Sequence, residues 1–344
     1  MQDYYQKKNK NNILLEKNFN FDKPCGGGIK SQVFREFDIP KDLEKKEIKV
    51  FNLKSIKNDI SVNLNNSSIS IVLRQEFDKK LRDLAQESGS KLLEARFLEC
   101  FFENDDVISK IKMKNEIIHI RSNYLIGADG VQSTVRKKVF GNNTNALLTN
   151  YALIDNKDID YCDFYFGDDY SPNEYAWIFP HGNKVSVGAV LKNDDAKTVF
   201  GKFKDKYYEN EKVKGYFIPC WNDDKAFYKN RTFLVGDAAG HVLPFTYEGI
   251  YFAIKSAEIL SKAIINNEPK MYQELWNKTY LKKFRFFKFM QKVFLRNDFF
   301  VNLMLKFFGK EKLQRRALSY WNGSSQPISN KKILFKIFTL FFRK

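Results

Sequence analysis

The sequence predicts a mixed α/β (α+β) fold: a strand–turn–helix unit interleaved with an antiparallel β-sheet and followed by a helical C-terminal region. Residues 231–235 form an apolar strand that ends in a Gly-Asp turn and leads into a helical pattern. Short apolar runs alternate in residues 47–71 and 148–190, which is typical of antiparallel strands. After Ile265, aromatic residues recur at helical spacing among lysines.

The other elements are predicted from local patterns in chain order. Residues 12–17 are apolar and end near an acid, as a buried parallel strand does, and residues 29–37 have a helical pattern. A helix opens at Arg74 and ends near Gly89. Three further strands separated by Asn-containing turns are predicted at residues 95–102, 107–113 and 116–120.

Length and composition define the class of protein. The 344 residues are 43% hydrophobic, enough for one large domain or two interleaved domains. No stretch reaches about 18 consecutive apolar residues, and the first twelve residues are polar, so neither a transmembrane helix nor a secretory signal is expected. The cysteines have no metal-type or disulfide-type spacing, which favours a reducing cytoplasm; they are Cys25, Cys100, Cys162 and Cys220.

Positive charge is concentrated at the C-terminal end. Residues 278–344 contain 17 Lys and Arg against Asp298 and Glu311, so they carry +15 of the formal net charge of +17. Basic residues mixed with aromatic ones suit an anionic membrane surface, which predicts a cytoplasmic protein held peripherally on the inner face of a membrane. The amphipathic stretch 331–344 is the predicted contact; the alternative is a helix that covers the core. Nucleic acid is not an expected partner, because no recognised nucleic-acid-binding fold accompanies the charge.

The stretch from residue 231 to residue 250 has the features of a nucleotide site. Gly236 permits a tight turn after the strand, Asp237 presents a carboxylate at the strand end, and a helix starts near Gly249. The carboxylate suits a ribose hydroxyl, and the free N–H groups of the helix suit a polyphosphate. An ordinary βα turn is the alternative interpretation.

Five motifs in order carry a family resemblance. Residues 236–250, with Gly-Asp-Ala-Ala-Gly, Pro244 and Glu-Gly-Ile, resemble the late FAD motif of flavoproteins built like aromatic hydroxylases. Residues 124–136, with Gly-Ala-Asp-Gly, resemble their middle motif. The loop Lys-Pro-Cys-Gly-Gly-Gly at residues 23–28 narrows the resemblance to the geranylgeranyl reductase family, and residues 74–81 and 172–180 also fit that family.

The resemblance implies a Rossmann-like FAD-binding domain interleaved with a β-sheet substrate domain. The implied FAD-binding segments are 1–40, 70–145 and 230–266, the implied substrate segments are 41–69 and 146–229, and residues 267–344 form the basic helical region. The cofactor-binding residues implied by the motifs are Glu16, Gly26, Gly27, Gly28, Arg74, Asp129, Gly130, Gly236, Asp237, Ala238, Pro244, Gly249 and Ile250. For Glu16 and Arg74, a solvated strand end and a helix-surface arginine are the respective alternatives.

The family pattern places a strand and a Gly-x-Gly-x-x-Gly turn about 30 residues before Glu16. The first glycine of this sequence is Gly26. We therefore expect that the sequence starts inside the first βαβ unit, because its start is assigned late or the chain is truncated. The alternative is that ordinary FAD binding has been lost.

The resemblance also implies a site for a hydrocarbon chain. Tyr175, Trp177 and Phe179 alternate along a strand that ends at Pro180, so the three rings share one face. The family implies that these four residues contact substrate; a face packed on the core is the alternative. Cys25 is implied to lie near the reacting carbon, as an acid or a positioning group, unless the loop is a flexible surface loop.

The implied activity is reduction of carbon–carbon double bonds in a polyprenyl (geranylgeranyl-type) lipid, with FAD as cofactor and NAD(P)H or ferredoxin as electron donor. One alternative is an FAD-dependent monooxygenase, since the middle and late motifs are shared with aromatic hydroxylases. Another is a non-catalytic lipid-binding relative that has lost FAD. Tyr247 stands where many relatives carry glycine.

Overall fold

A computed structural model of the protein describes residues 11–155, 159–192, 194–205, 212–223 and 225–323. Its strands are β1 Ile13–Glu16, β2 Gly28–Lys30, β3 Glu44–Ile48, β4 Val50–Lys54, β5 Asp59–Asn63, β6 Ile69–Val72, β7 Lys91–Glu94, β8 Arg96–Glu103, β9 Asp106–Met113, β10 Glu116–Ser122, β11 Leu125–Gly127, β12 Ala146–Ile154, β13 Cys162–Gly167, β14 Ser171–His181, β15 Lys184–Leu191, β16 Lys214–Pro219, β17 Tyr228–Lys229 and β18 Thr232–Leu234. Its α-helices are α1 Gln32–Glu36, α2 Arg74–Glu87, α3 Asp194–Asp205, α4 Gly236–Ala239, α5 Ile250–Ile265, α6 Tyr272–Trp276, α7 Lys282–Phe294, α8 Asp298–Phe308 and α9 Glu311–Trp321, with π-helical turns at Arg136–Phe140 and Asn277–Leu281 and 3₁₀ turns at Lys41–Leu43 and Pro269–Met271.

The strands predicted at residues 12–17 and 231–235 each pair in parallel with another strand. Strand β1 pairs in parallel with β7, and β11 pairs in parallel with β18. Strand β18 leads directly into α4 and, after a loop, into the long helix α5. These pairs confirm the strands predicted at residues 12–17 and 231–235, and with them the mixed α/β fold class.

The largest sheet has seven strands in the order β16-β12-β15-β14-β13-β4-β5. All of its neighbours are antiparallel except β13 and β4. Strand β3 pairs with β6 in a different sheet, together with β2. Residues 41–69 therefore contribute to two sheets, and the domain boundaries proposed above stay a prediction.

The C-terminal helices complete the core. Helices α5 to α7 pack on β18 through Phe233, Phe252, Tyr272, Trp276 and Phe284. Helices α7 to α9 cover one face of the seven-stranded sheet, and α3 packs on the opposite face. Among the helices within the described ranges, none has the length and apolar character needed to cross a membrane. The predicted membrane contact at residues 331–344 lies outside those ranges.

Candidate active site

The turn after β18 brings an acid to the start of helix α5. Gly236 has a φ of +57°, and a Cβ added there would lie 2.9 Å from the Cβ of Ala253, so this turn requires glycine. A Cβ on Gly249 would lie 3.2 Å from Oδ1 of Asp237. The carboxylate thus lies over the first turn of α5, where a hydroxyl-bearing or anionic ligand can meet helix N–H groups.

An ion pair joins this turn to the glycine loop at residues 23–28. The Nζ of Lys23 lies 2.6 Å from Oδ2 of Asp237, and both side chains are largely buried. Burial on its own lowers the pKa of Lys23, but the adjacent Asp237 carboxylate outweighs it and the pKa is raised. Two motifs separated by 214 residues therefore meet at one place.

The glycine loop is packed between β6 and β14. Gly27 has a φ of +82°, and a Cβ there would lie 2.8 Å from the backbone oxygen of Val72. The Val72 amide in turn donates to the Gly27 carbonyl at 2.9 Å. A Cβ on Gly26 would lie 3.1 Å from the ring of Phe179. A side chain at Gly27 is thus excluded by the backbone of β6, and one at Gly26 would crowd the Phe179 ring on β14.

Replacing Gly27 by alanine tests this packing. We expect a loss of about 3 kcal/mol in the free energy of unfolding, because a left-handed φ and a clash with fixed backbone act together. Gly141→Ala is the control: Gly141 has a φ of +69°, but no atom of the described residues lies within 4 Å of an added Cβ, so the variant should lose only about 1 kcal/mol. Urea denaturation at one FAD concentration measures both, and equal losses would contradict the close contact.

Cys25 accepts hydrogen bonds in this loop. Its sulfur accepts from the Gly27 amide at 3.4 Å and also contacts the guanidinium of Arg74. Arg74 donates to both carboxylate oxygens of Asp78, at 3.0 and 2.8 Å. Burial on its own lowers the pKa of Arg74, but Cys25 and Asp78 outweigh it and the pKa is raised. Arg74 thus contacts two protein groups here, and a phosphate contact stays a prediction.

The middle motif is joined to the late motif by Arg136. Asp129 is exposed and accepts from the Ser133 hydroxyl and, at 3.0 Å, from the Val135 amide, so it caps the following turn. Arg136 is buried and donates from Nε to the Ala238 carbonyl at 2.6 Å. Burial lowers the pKa of Arg136 to about 10. The cofactor role of Asp129 and of Gly130, which has a φ of +80°, stays a prediction.

The other predicted cofactor residues lie at element ends. Glu16 is half-buried at the end of β1, and its carboxylate accepts from the Lys17 amide at 2.8 Å. Pro244 is buried and its carbonyl accepts from Thr246 at 2.9 Å, while Ile250 opens α5. Their contacts to a cofactor stay predictions.

Strand β14 presents its three aromatic rings on one face, as its alternation predicts. Trp177 donates from Nε1 to the Ser186 hydroxyl at 3.2 Å and fills the space over Gly188, where a Cβ would clash. Tyr175 and Trp177 are only 6% and 8% exposed, so this end of the face packs on the core. Phe179 is half-buried and lies against the glycine loop, and Pro180 is buried. Substrate contact along this face stays a prediction.

A buried polar cluster near this face was not identified from sequence. Glu174 is 4% exposed, and its Oε2 accepts from the Tyr247 hydroxyl at 2.8 Å. Gln291 of α7 donates to the Tyr247 oxygen at 2.9 Å. Burial raises the pKa of Glu174 to about 7. The only sequence signal was the bulky residue at position 247.

A cleft of about 520 Å³ opens elsewhere, between the β4–β5 turn and helix α8. Its lining includes Ile56, Asp298 and Leu303, and it reaches the aromatic face only at Phe166. It contains none of the predicted site residues, so we assign it no part in the reaction.

Comparison with known proteins places these motifs in a family. A model described as the FAD binding domain matches residues 28–153, and one described as the geranylgeranyl reductase catalytic domain matches residues 144–218. The chloroplastic geranylgeranyl diphosphate reductase of Arabidopsis thaliana is 31% identical over 328 residues, covering 83% of this chain and 69% of that protein. The digeranylgeranylglycerophospholipid reductase of Thermoplasma acidophilum is 28% identical over 298 residues, covering 76% of this chain and 75% of that protein.

The fold agrees with the sequence matches. The crystal structure of a geranylgeranyl bacteriochlorophyll reductase-like protein from Thermoplasma acidophilum has a TM-score of 0.81 at 22% identity, and the match covers 92% of each chain. The chain also covers more than two thirds of the Arabidopsis reductase at 31% identity. The chain therefore belongs to the geranylgeranyl reductase family of FAD-dependent oxidoreductases.

Proposed function

We propose that this protein reduces carbon–carbon double bonds in a polyprenyl lipid chain. One observation carries the proposal: the glycine loop contacts the cofactor motif and the aromatic strand at once. Lys23 pairs with Asp237 at 2.6 Å, while Gly26 lies against Phe179. A cofactor bound at the first motif and a hydrocarbon lying along the second would therefore meet at Cys25.

The residues around Asp237 fit FAD. A carboxylate over the start of a long helix suits the hydroxyls and phosphates of the cofactor, and Gly236 and Gly249 leave no side chain in the way. Asp237 and Ile250 at the late motif and Gly26 to Gly28 across from it are the proposed holding residues. When bound and reduced, FAD supplies hydride. The electrons are proposed to come from NAD(P)H or ferredoxin.

The chain itself has three tasks in this reaction. An isolated alkene is a poor hydride acceptor, so positive charge must develop as a proton is added. Phe179 and its aromatic neighbours exclude water and can stabilise that charge through their ring faces. Cys25, fixed by Gly27 and Arg74, is proposed to position the reacting carbon. The third task is to supply the proton that the alkene takes up.

The test uses purified protein loaded with FAD and reduced anaerobically with dithionite. Adding geranylgeranyl diphosphate should reoxidise the flavin and give a product heavier by two hydrogens for each bond reduced. A protein that retains no FAD, or a reduced flavin that the lipid does not reoxidise, would overturn the proposal. Product that carries an added oxygen atom would instead favour a monooxygenase.

We further propose that the basic C-terminal stretch holds the protein at a membrane surface. Residues 331–344 include five Lys and Arg among large apolar side chains. At on the order of 1 kcal/mol for each basic residue, deleting them should weaken binding to anionic vesicles at least a hundredfold in low salt. Sedimentation with phosphatidylglycerol vesicles measures this, with phosphatidylcholine vesicles as the control. Equal sedimentation of the full and shortened chains would dismiss the contact.

A further inference from the structure

The cluster of Glu174, Tyr247 and Gln291 joins three separate elements inside the protein. Glu174 lies on β14, Tyr247 lies in the loop before α5, and Gln291 lies on α7. The Tyr247 hydroxyl donates to Glu174 at 2.8 Å and accepts from Gln291 at 2.9 Å. Gln291 also lies 3.4 Å from the same carboxylate oxygen. All three polar groups are thus held in one hydrogen-bonded set.

Tyr247 links the cofactor motif to the strand that carries the aromatic face. It directly precedes the Glu-Gly-Ile end of the cofactor motif. Its ring centroid is 5.9 Å from that of Tyr175 on the aromatic strand, and the Tyr175 hydroxyl donates to the Thr246 carbonyl at 3.2 Å. Its φ of +54° is one that non-glycine residues rarely adopt. The hydrogen bonds to Glu174 and Gln291 help to hold it there.

Cys25 is poorly arranged to give a proton. Its sulfur accepts from the Gly27 amide and contacts the Arg74 guanidinium, and a guanidinium can only donate. The contacts of Tyr247 are different. Its hydroxyl has a hydrogen to donate, and the neighbouring Glu174 carboxyl group can return a proton to the Tyr247 oxygen after that hydrogen is lost. The reaction proposed above needs one proton for each double bond reduced.

We propose that Tyr247 gives this proton to the alkene and that Glu174 restores it, with Gln291 holding both groups. The inference rests on the proposed function. The Tyr247 O–H bond breaks as one new C–H bond forms, and the other C–H bond would take the hydride that bound, reduced FAD would supply. The Glu174 O–H bond then breaks to restore the Tyr247 hydroxyl. A proton from solvent restores the Glu174 carboxyl group before the next cycle, so each double bond reduced takes up one hydride and one proton.

The protonation state of Glu174 decides whether Tyr247 can pass its proton to the alkene. When Glu174 is ionised, the Tyr247 hydrogen points at the carboxylate. When it is protonated, Glu174 can donate to the Tyr247 oxygen, which frees the phenol hydrogen to point elsewhere. Burial raises the pKa of Glu174 to about 7, and the opposing effects of Tyr247, Lys192 and Gln291 are smaller. The rate should therefore fall as pH rises above about 7.

Other ionisable groups near this cluster lie on β14, at the end of β16 and on α7, and Lys192 directly follows β15. Tyr175 is adjacent on β14, and Cys220 faces Glu174 from the end of β16, with Lys288 of α7 beside it. Burial raises the pKa of Cys220 to about 11 and keeps Tyr175 neutral by raising its pKa further. Neither therefore titrates between pH 5 and 9, where the Glu174 carboxyl does.

The test follows flavin reoxidation in one turnover, with the reduced holoenzyme and geranylgeranyl diphosphate, between pH 5 and 9. Tyr247→Phe and Glu174→Gln should each slow it by about 100-fold or more and lose the decline above pH 7. Tyr251→Phe is the matched control, because its hydroxyl donates to Glu36 at 3.1 Å, outside this cluster. It should stay within about twofold of the unsubstituted protein.

A second readout does not depend on turnover. Infrared titration of the FAD-loaded protein without substrate should show a buried carboxylic acid that ionises near pH 7 and is missing from Glu174→Gln. Unchanged rates and pH profiles in both variants would overturn the proposal, as would the absence of that acid. If the unsubstituted protein retains FAD but reduces no polyprenyl lipid, the proposed function fails and this role falls with it, even where the infrared titration is as expected.

Discussion

Replacing Lys30 by methionine lowers the free energy of unfolding by about 3–5 kcal/mol, because the Glu248 carboxylate is left buried without its counter-ion. The Lys30 side chain is only 3% exposed, and its Nζ lies 3.0 Å from Oε2 of Glu248. It also donates to the Trp321 carbonyl at 2.9 Å and lies 4.4 Å from the Trp321 ring centroid.

The same cluster ties the cofactor motif to the last described helix. The Trp321 indole N–H donates to Oε1 of Glu248, and Lys283 donates to the Trp321 carbonyl at 2.7 Å. Burial lowers the pKa of Lys283 to about 8, and the nearby positive charge of Lys30 is the second cause. Of these two neighbouring ammonium groups, Lys283 therefore loses its proton readily. Helix α9 is thus held against the start of α5, and loss of Lys30 should loosen both.

Urea denaturation at pH 7 measures this effect, with Lys79→Met as the matched control. Lys79 pairs with Asp83 one helical turn away on exposed α2, so its loss should cost no more than about 0.5 kcal/mol. The double variant Lys30→Met with Glu248→Gln should be less destabilised than the sum of the two single variants, because each single variant leaves one buried charge unpaired and the double variant leaves none. A Lys30 variant as stable as the Lys79 variant would refute the buried pair.

Local patterns were sufficient for most elements of this fold but not for its buried charges. The helix predicted over residues 29–37 was wrong at its start, because residues 28–30 pair with β6 as strand β2 and the helix begins only at Gln32. The strand at residues 231–235, its glycine turn and the helix after Gly249 were predictable because each depends on neighbours in sequence. In sequence, Lys30 and Glu248 look like ordinary surface charges. The two residues lie 218 positions apart, and Trp321 lies 73 residues beyond Glu248. Only the tertiary fold shows that these groups are desolvated together.

The tertiary contacts of the strand that carries Tyr175, Trp177 and Phe179 also could not be predicted from local sequence. Its period-two pattern predicted that Tyr175, Trp177 and Phe179 share a face, but not that helices α7 to α9 cover the Tyr175 end. Glu174 was missed for a related reason. Asn173 has a φ of +60° and the pairing with β13 shifts after Phe166, so the regular alternation is broken just before Glu174.

The buried Glu174 should also make stability depend on pH. Its pKa is 4.5 for the ordinary group and about 7 in the folded protein, where burial disfavours the carboxylate. Between these values the folded state binds more protons than the unfolded state, so the free energy of unfolding falls as pH rises from 4.5 to 7. At roughly 1.4 kcal/mol per pH unit, the group should cost about 3 kcal/mol at pH 8 and little at pH 4.5.

Glu174→Gln keeps the shape and a hydrogen-bond acceptor for Tyr247 but cannot ionise. We expect it to match the unsubstituted protein in urea denaturation at pH 4.5 and to exceed it by about 3 kcal/mol at pH 8. Glu87→Gln, on the exposed end of α2, is the control and should differ by less than about 0.5 kcal/mol at either pH. A Glu174 variant that shows no gain between the two pH values would mean that the carboxyl group is not desolvated.

The two expectations for Glu174→Gln run in opposite directions, and this separates a structural role from a chemical one. A carboxyl group kept only for packing should be replaceable by glutamine with gain in stability and no loss of turnover. A proton donor should gain stability above pH 7 and lose the reaction, because the desolvation that destabilises the folded protein is also what keeps the acid protonated near neutral pH. Measuring both properties on one variant therefore decides which role the buried glutamate has.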